Sequence, residues 1–216
     1  MRLLVLGASG HCGQWVTRLA SEQGHEVTAF VRPSTPYSPP DGVRIVRGQV
    51  LEPADLLTAT RGHDAILSCL GPQRRSPNVF SPLKSPPQFC ERSARLIVEV
   101  AKAAGIRRVG AISAAGVGDS HPLLPIVMRL LLRVSTIGVV YADLGAMEQV
   151  YAASGLDWFA VRPVTLVNAP PSDRAREVDR YRTSSTIGRA DVAQYMLDML
   201  GASPPSLERF PFIGWK

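Results

Sequence analysis

Short apolar runs alternate along the chain with longer stretches whose apolar residues recur at helical spacing. The apolar runs predict strands at 2–6, 26–31, 43–47, 64–70, 107–112 and 157–162. The amphipathic stretches predict helices at 12–23, 53–61, 88–104, 141–154 and 189–200. A glycine follows each of the first four predicted helices, where glycine commonly ends a helix. This order predicts an α/β fold, a Rossmann-type doubly wound parallel sheet with helices on both faces.

The length of the chain predicts one domain. A chain of 216 residues lies near the upper end of the usual range for a single domain, and no linker divides it. We therefore expect a single domain over 1–216. A small C-terminal substrate region completes it, with a pocket built mainly from 114–136 and 164–216. Several large apolar side chains in these segments predict an apolar substrate (Leu123, Leu124, Met128, Leu131 and Phe212).

Composition limits the partners that we expect. The formal charge is +6, but the basic residues are scattered or interrupted by acids, so we do not expect nucleic acid to bind. The apolar segment 123–134 contains Arg129 and Arg133 and is shorter than the roughly 20 residues that span a bilayer. We interpret it as a buried helix, a pocket cover or a subunit contact, and we expect no membrane partner.

The cysteines and the first residues suggest a cytoplasmic protein. Cys12, Cys69 and Cys90 are odd in number and lack the spacing of metal ligands, which predicts free thiols and no metal site. The N-terminus does not resemble a secretory signal sequence, so we expect a cytoplasmic location. The expected assembly is a monomer or a homodimer.

Residues 7–13 read GASGHCG and follow the apolar run 3–6. Glycines at this spacing, between a strand and a helix, allow an anion to approach the main-chain amides and the positive end of the helix dipole. Three glycines alone are a weak signal, but the position inside a βαβ unit makes a dinucleotide site the favoured interpretation.

The end of the second predicted strand indicates which dinucleotide binds. NAD sites place an acidic residue there for the ribose 2′-hydroxyl, whereas NADP sites supply a cation for the 2′-phosphate. The strand here ends in Val31-Arg32-Pro33. A charge-assisted arginine–phosphate pair at Arg32 therefore predicts NADP(H) as the cofactor.

With GASGHCG, Arg32, Leu70-Gly71-Pro72 and the segments AISAAGVGDS (111–120), SGLDWFAVRP (154–163) and STIGRADVAQYMLDML (185–200) in order, the chain resembles the atypical short-chain dehydrogenase/reductases with an NAD(P)H-binding domain. Within them it is similar to the NmrA-like proteins and to the biliverdin-IXβ reductase/flavin reductase group. The resemblance covers nearly the whole chain and is more specific for fold and nucleotide than for the reaction.

The resemblance implies positions for the cofactor. It assigns the pyrophosphate to the glycine loop (Gly7, Ser9, Gly10, His11, Cys12 and Gly13) and the 2′-phosphate to Arg32. Gln49 and Val50 would contact adenine, with Gln49 replacing the usual aspartate. Leu70 and Gly71 would lie under the adenosine and phosphates, and the nicotinamide would lie beside Ser113, Pro163, Val164 and Thr165.

The same resemblance leaves the chemistry open. Ser113 and Tyr141 are the candidate catalytic residues, but Gly145 occupies the lysine position of the usual Tyr-x-x-x-Lys pair. Thr165 stands where the flavin reductase group has a histidine, and His121 is a further possible proton donor. A reductase of a small apolar carbonyl, quinone or enone is the first hypothesis. A dinucleotide-sensing regulator without turnover and a non-redox cyclase or isomerase are the alternatives.

Overall fold

The computed structural model describes residues 1–202 and 209–215. Its strands are β1 (Arg2–Leu6), β2 (Glu26–Val31), β3 (Arg44–Arg47), β4 (Ala65–Ser68), β5 (Arg108–Ile112), β6 (Asp157–Pro163), β7 (Thr165–Val167), β8 (Ala175–Glu177), β9 (Thr186–Gly188) and β10 (Phe212–Trp215). Its helices are α1 (His11–Glu22), α2 (Pro53–Thr60), α3 (Phe89–Ala103), α4 (Ile126–Val134), α5 (Thr136–Ala152) and α6 (Arg189–Gly201), with a 3-10 turn at Gly118–Leu123.

The main sheet has eight strands in the order β3-β2-β1-β4-β5-β6-β10-β8. The first six are parallel and follow the 3-2-1-4-5-6 order of the dinucleotide-binding fold. β10 continues the parallel sheet beside β6, and β8 closes that edge antiparallel to β10. The predicted Rossmann-type fold is therefore confirmed.

A separate apolar layer covers each face of the sheet. Alternate strand residues point to opposite faces, so Leu3 and Val5 belong to one layer while Leu4 and Leu6 belong to the other. Helices α1 and α6 pack together on the first face, whereas α3 packs against α2 and α5 on the second. Burial on both faces explains the nearly continuous apolar sequence of β1.

Two glycines allow α1 to pack directly against the sheet. Gly7 has a φ of +73°, and a Cβ there would lie 2.8 Å from the carbonyl oxygen of Cys69. A Cβ on Gly13, in the first turn of α1, would overlap the carbonyl oxygen of Gly7. Gly10 closes the intervening turn by donating its N–H to the Gly7 carbonyl at 2.9 Å. The helix start is therefore held against the end of β1 by main-chain contact.

The structure extends the predicted elements at several places. Helix α5 begins at Thr136 rather than 141, although its first turns are rich in β-branched residues and contain Gly138. Packing against α3 outweighs the weak helical propensity of this stretch. The segment after Pro125 forms the short helix α4, and the C-terminal region contributes β7 to β10. In the predicted tail, residues 203–208 and Lys216 lie outside the described residues.

None of the described helices is by itself long and apolar enough to cross a membrane. Only α4 and α5 taken together reach the required length and composition, and the two helices are bent by 96° at Ser135.

We expect Gly13→Ala to lower the free energy of unfolding by at least about 2 kcal/mol, because the added methyl group meets backbone rather than a movable side chain. Gly201→Ala is the control, since a Cβ at this helical position meets nothing within 4 Å. It should leave stability unchanged or raise it by up to about 1 kcal/mol. Urea unfolding followed by circular dichroism measures both, and equal stability of the two variants would contradict this account of Gly13.

Candidate functional site

A cavity of about 350 Å³ opens at the carboxyl ends of β1, β2 and β4, where open α/β sheets bind ligands. Its lining includes eight of the predicted cofactor-binding residues: Gly7, Ser9, Gly10, Arg32, Gln49, Val50, Leu70 and Gly71. The remaining predicted residues lie elsewhere. His11, Cys12 and Gly13 form the first turn of α1, and Ser113 and 163–165 lie at the ends of β5 and β6.

The start of α1 is exposed to solvent and borders the cavity. No side chain of the described residues caps its free N–H groups. Gly10 precedes the helix and His11 is its exposed first residue. No acidic side chain lies in the first turn, so the positive end of the helix is not neutralised from within. Such a terminus favours the binding of an anion.

Arg32 lies at the opposite end of the cavity, directly after β2. It is exposed, and its guanidinium donates a long hydrogen bond of 3.4 Å to the side-chain oxygen of Gln73. Arg47 at the end of β3 fixes the turn behind it by donating to the carbonyls of Arg32, Pro33 and Thr35 at 3.1 to 3.4 Å. The turn is held by Arg47, and the head of Arg32 stays available for a ligand.

The proline-rich segment after β4 folds back on itself to form a hairpin, defined here as residues 73–85. The Gln73 carbonyl accepts the main-chain N–H groups of Lys84 and Ser85, and the Gln73 N–H donates to the Ser85 hydroxyl. An antiparallel bridge joins Arg74 to Leu83. The hairpin places Lys84 on the cavity wall with Arg32. Among the described lining residues there are these two cations and no carboxylate. The cavity therefore suits a ligand with several negative charges.

The segment after β3 forms another wall. Gln49 is exposed, and its main-chain N–H donates to the Asp55 carboxylate at 2.9 Å, which fixes the segment against the start of α2. Val50 is buried beside it. Gly48 leaves room for the Phe30 ring, which a Cβ there would meet at 2.8 Å. This wall combines one amide side chain with apolar surface, as expected for the binding of a purine ring.

Ser113 and the segment from Pro163 to Thr165 are connected by main-chain hydrogen bonds. The Ser113 N–H donates to Val161 at 2.8 Å, and the Ala115 N–H donates to Pro163 at 3.0 Å. The Ser113 hydroxyl is buried and has no hydrogen-bond partner among the described residues. A buried hydroxyl without a partner is costly in free energy, which makes Ser113 unusual among the residues at the end of β5.

Tyr141, near the start of α5, is the second candidate catalytic residue. Burial raises the pKa of its phenol to about 12, and nearby Tyr181 contributes in the same direction. The Tyr181 hydroxyl lies 2.7 Å from the Thr165 hydroxyl. Gly145, one turn beyond Tyr141, packs its backbone toward Val117. The structure thus brings a tyrosine from the C-terminal region close to Tyr141 and supplies no lysine at position 145.

A buried ion pair holds the loop that follows Ser113. Arg162 on β6 donates to Glu148 on α5 at 2.7 and 2.9 Å, and both side chains are at most 5% exposed. The same guanidinium binds Asp119 in the 3-10 turn at 2.5 Å. Removing one partner of such a pair leaves an uncompensated charge, so the pair strongly favours this arrangement. The loop is thereby joined to β6 at Asp119, whose side chain is itself exposed.

The predicted substrate region is more charged than expected. A cavity of about 290 Å³ contains Leu123 and Phe212 from the predicted apolar set. Its lining also includes Asp119, Arg162 and two further acids of the 177–179 segment. Leu124 is buried, whereas Met128 and Leu131 are partly exposed on α4.

The three cysteines are free thiols. Burial raises the pKa of Cys12 to about 11, although the charge of Arg189 opposes the shift. Burial also raises the pKa of Cys69 well above its usual value. These thiols stay protonated at neutral pH and are weak nucleophiles. Within 1–202 and 209–215, no three His, Cys, Asp or Glu side chains are grouped to hold a metal ion.

The sequence interpretation missed several residues at these positions. Gln73, Lys84 and Ser85 line the cavity because the proline-rich segment after β4 forms the hairpin. Phe30 and Phe89 line it as well. The only signal for the hairpin was the position of this segment after a strand at the ligand-binding end of the sheet. Tyr181 lies within the predicted pocket segment 164–216, but no motif singled it out.

Comparison with solved structures supports the fold. ChuY, an anaerobillin reductase from Escherichia coli O157:H7, superposes with a TM-score of 0.77, covering 99% of this chain and 96% of that chain at 21% identity. A short-chain dehydrogenase/reductase from Veillonella parvula DSM 2008 in complex with NADP superposes with a TM-score of 0.78, covering 99% and 94% at 18% identity. At these identities the similarity shows the fold alone.

Curated relatives match shorter segments. An isoflavone reductase homolog from Zea mays is 30% identical over 80 residues, which cover 32% of this chain and 26% of that protein. A 2-alkyl-3-oxoalkanoate reductase from Stenotrophomonas maltophilia (strain K279a) is 39% identical over 66 residues, covering 31% and 20%. The two matched segments thus span only 26% and 20% of the length of these relatives.

A protein-family model described as NAD(P)H-binding matches residues 7–203, which is most of the chain. The match includes the glycine loop, the cavity and the segments that carry Ser113 and Tyr181. It confirms the NAD(P)H-binding domain that the sequence resemblance implied. The chain belongs to the NAD(P)H-binding family.

Proposed function

We propose that the protein is an NADPH-dependent reductase of a small apolar carbonyl, quinone or enone. The observation that carries the proposal is the cavity that joins the glycine loop to Arg32 and Lys84 without a carboxylate on its described lining. An acid at the end of β2 would bind a ribose 2′-hydroxyl and repel a 2′-phosphate, whereas two cations favour the phosphate.

The residues of the cavity suit each part of the dinucleotide. The amides at the start of α1 would bind the pyrophosphate, and Gln49 and Val50 would contact the adenine. Arg32 and Lys84 would share the 2′-phosphate. The Ser113 hydroxyl, buried and without a described partner, would bind the nicotinamide end together with Pro163, Val164 and Thr165. When bound, NADPH supplies the hydride, so the protein has to position the acceptor and exclude water.

Two phenols would orient the acceptor. Tyr141 stays protonated because burial raises its pKa to about 12, and Tyr181 lies beside it with its hydroxyl on Thr165. A neutral phenol donates a hydrogen bond to a carbonyl oxygen and stabilises the negative charge that develops there during reduction. This role does not require the lysine that activates tyrosine in the usual pair. The proton itself then comes from solvent.

The names of the relatives agree with this reaction class. The two curated relatives are an isoflavone reductase homolog and a reductase of 2-alkyl-3-oxoalkanoates, and one structural neighbour is an anaerobillin reductase. These names support a reductase and leave the substrate of this chain to be found.

The direct test of the proposal is steady-state oxidation of NADPH by the purified protein with a panel of quinones, enones and flavins. We expect turnover with at least one apolar acceptor and weaker use of NADH. Tight NADPH binding without turnover across the panel would contradict the proposal and favour a regulator. A product at the oxidation level of the substrate would favour a cyclase or isomerase.

We expect Arg32→Ala to weaken NADPH binding by roughly 10- to 100-fold, because a hydrogen bond to a charged group contributes about 1.5–3 kcal/mol. NADH binding should change little. Fluorescence titration with both nucleotides measures the effect. Arg107→Ala removes the same charge from an exposed position just before β5, at the other end of the sheet, and should affect neither nucleotide. Equal weakening of NADPH and NADH by Arg32→Ala would contradict its assigned role.

We expect Tyr141→Phe and Tyr181→Phe each to lower kcat by roughly 10- to 100-fold, because each removes a donor to the developing oxyanion. The affinity for NADPH should be preserved. The rate of the parent protein should show no fall caused by Tyr141 ionisation below about pH 11, since a phenol donates only while protonated.

Tyr37→Phe is the matched control, because Tyr37 bonds to the buried Thr17 in the middle of α1 and is not among the described lining residues of the cavity. It should leave kcat unchanged. If both phenol variants kept the parental kcat, the acceptor would have to be oriented by other groups.

A further inference from the structure

The most exposed apolar side chains of the described chain form one group. Nine large apolar side chains are exposed, and the six most exposed of them, at 55% to 70%, lie on α4, the first turns of α5 and the tip of the hairpin. We call this group the α4 patch, and it consists of Phe80, Ile126, Val127, Leu130, Val134 and Val139.

The α4 patch is continuous. Ile126, Leu130 and Val134 are spaced four residues apart and therefore share one face of α4. Thr136, the first residue of α5, donates its N–H and its hydroxyl to the Val79 carbonyl at 3.1 and 2.7 Å. These bonds bring the hairpin tip, with Phe80, against the corner between the two helices.

The corner between α4 and α5 is fixed, so the patch cannot turn inward by rotation of α4. A Cβ on Gly138 would overlap the carbonyl oxygen of Leu132, which means that the two helices meet through bare backbone. Leu132 and Leu124 are buried on the inner side of this segment. The chain therefore holds one apolar face of α4 in the core and presents the other to solvent.

The segments that carry the patch are positively charged. The segments 71–90 and 120–142, which the Thr136 bonds join, contain no aspartate or glutamate. They contain five cations, namely Arg74, Arg75, Lys84, Arg129 and Arg133. The nearest acids in sequence, Glu91, Asp119 and Asp143, lie just outside these segments. Asp143 accepts the N–H groups of Cys90 and Glu91. A second copy of the chain docked on this face would bring two sets of like charges together, whereas an anionic surface would be attracted.

The length and composition of α4 also fit a lipid surface. Exposed groups of apolar side chains rimmed by polar residues mark interaction sites. A short helix with apolar side chains and flanking arginines binds in the interface plane, with its apolar face about 5–10 Å deep. Helix α4 has nine residues, too few to span the bilayer but enough to lie on it.

We propose that the α4 patch is a peripheral membrane-binding surface that inserts its apolar side chains among the headgroups of an anionic bilayer. Arg75 and Arg133, both exposed, would contact the lipid phosphates. From the sequence alone no membrane partner was expected, because the basic residues are scattered along the chain, the apolar segment is too short to span a bilayer, and the exposure of α4 was not visible.

Flotation of the purified full-length chain with lipid vesicles tests this proposal. We expect binding to phosphatidylcholine vesicles that contain phosphatidylglycerol, weaker binding to pure phosphatidylcholine, and loss of the difference in high salt. Ile126→Ser combined with Leu130→Ser should lower the vesicle affinity by on the order of tenfold or more. Arg75→Gln combined with Arg133→Gln should lower binding only to the anionic vesicles.

Leu57→Ser is the control, because Leu57 is an exposed apolar residue on α2, away from the patch. Circular dichroism confirms that each variant is folded. Absence of flotation by the parent chain would overturn the proposal, as would flotation that the patch variants do not reduce. Sedimentation that shows a dimer dispersed by the Ile126 and Leu130 substitutions, without vesicle binding, would assign the patch to a second copy instead.

Discussion

The position of α1 depends on main-chain contact at two residues that carry no side chain. Gly7 turns the chain under the carbonyl of Cys69, and Gly13 lets the first turn of α1 lie on the backbone of Gly7. A side chain at either residue would move the helix away from the sheet. The start of α1 would then no longer face the cavity, and the favourable helix dipole would be lost to the ligand. Packing and anion binding therefore depend on the same close approach.

The charge of the cavity depends on which groups the carboxylates of the surrounding segments bind. Asp55 accepts the main-chain N–H of Gln49, and Glu148 and Asp119 both bind Arg162. Each of these acids is occupied in holding a wall or a loop of the site. Arg32, in contrast, contacts the neutral amide of Gln73. The described lining of the cavity carries cations and no carboxylate, whereas these three acids bind protein groups outside it.

The sequence predicts the central fold because the pattern there repeats on both faces of the sheet. Strands β1 to β6 and five of the helices follow from apolar runs and glycine stops. The later strands were missed because β7, β8 and β9 have three residues each and pair only through contacts distant in sequence. Patterns within a short stretch of sequence do not predict such pairing.

The same distinction applies to the candidate site. Gly7 and Arg32 were visible because their roles follow from their position beside a strand. Lys84 and Tyr181 were not visible, since one depends on the hairpin and the other on a contact with Thr165 made across the end of the sheet. Residue type and local order therefore predict the nucleotide half of the site better than the acceptor half.

The exposed face of α4 follows from the constraints on the loop that leads to it. Arg162 holds the loop before α4 through Asp119, and Thr136 holds the corner after α4 through the hairpin. Between these two anchors the chain has to fill the inner surface with Leu124 and Leu132. A nine-residue helix has only one inner face, so its remaining apolar residues stay outside. Local packing explains why α4 is helical and anchored, but it would be satisfied equally well by polar residues on the outer face. The apolar residues Ile126, Leu130 and Val134 are therefore not explained by packing within the described chain, and the proposed membrane contact gives them a role.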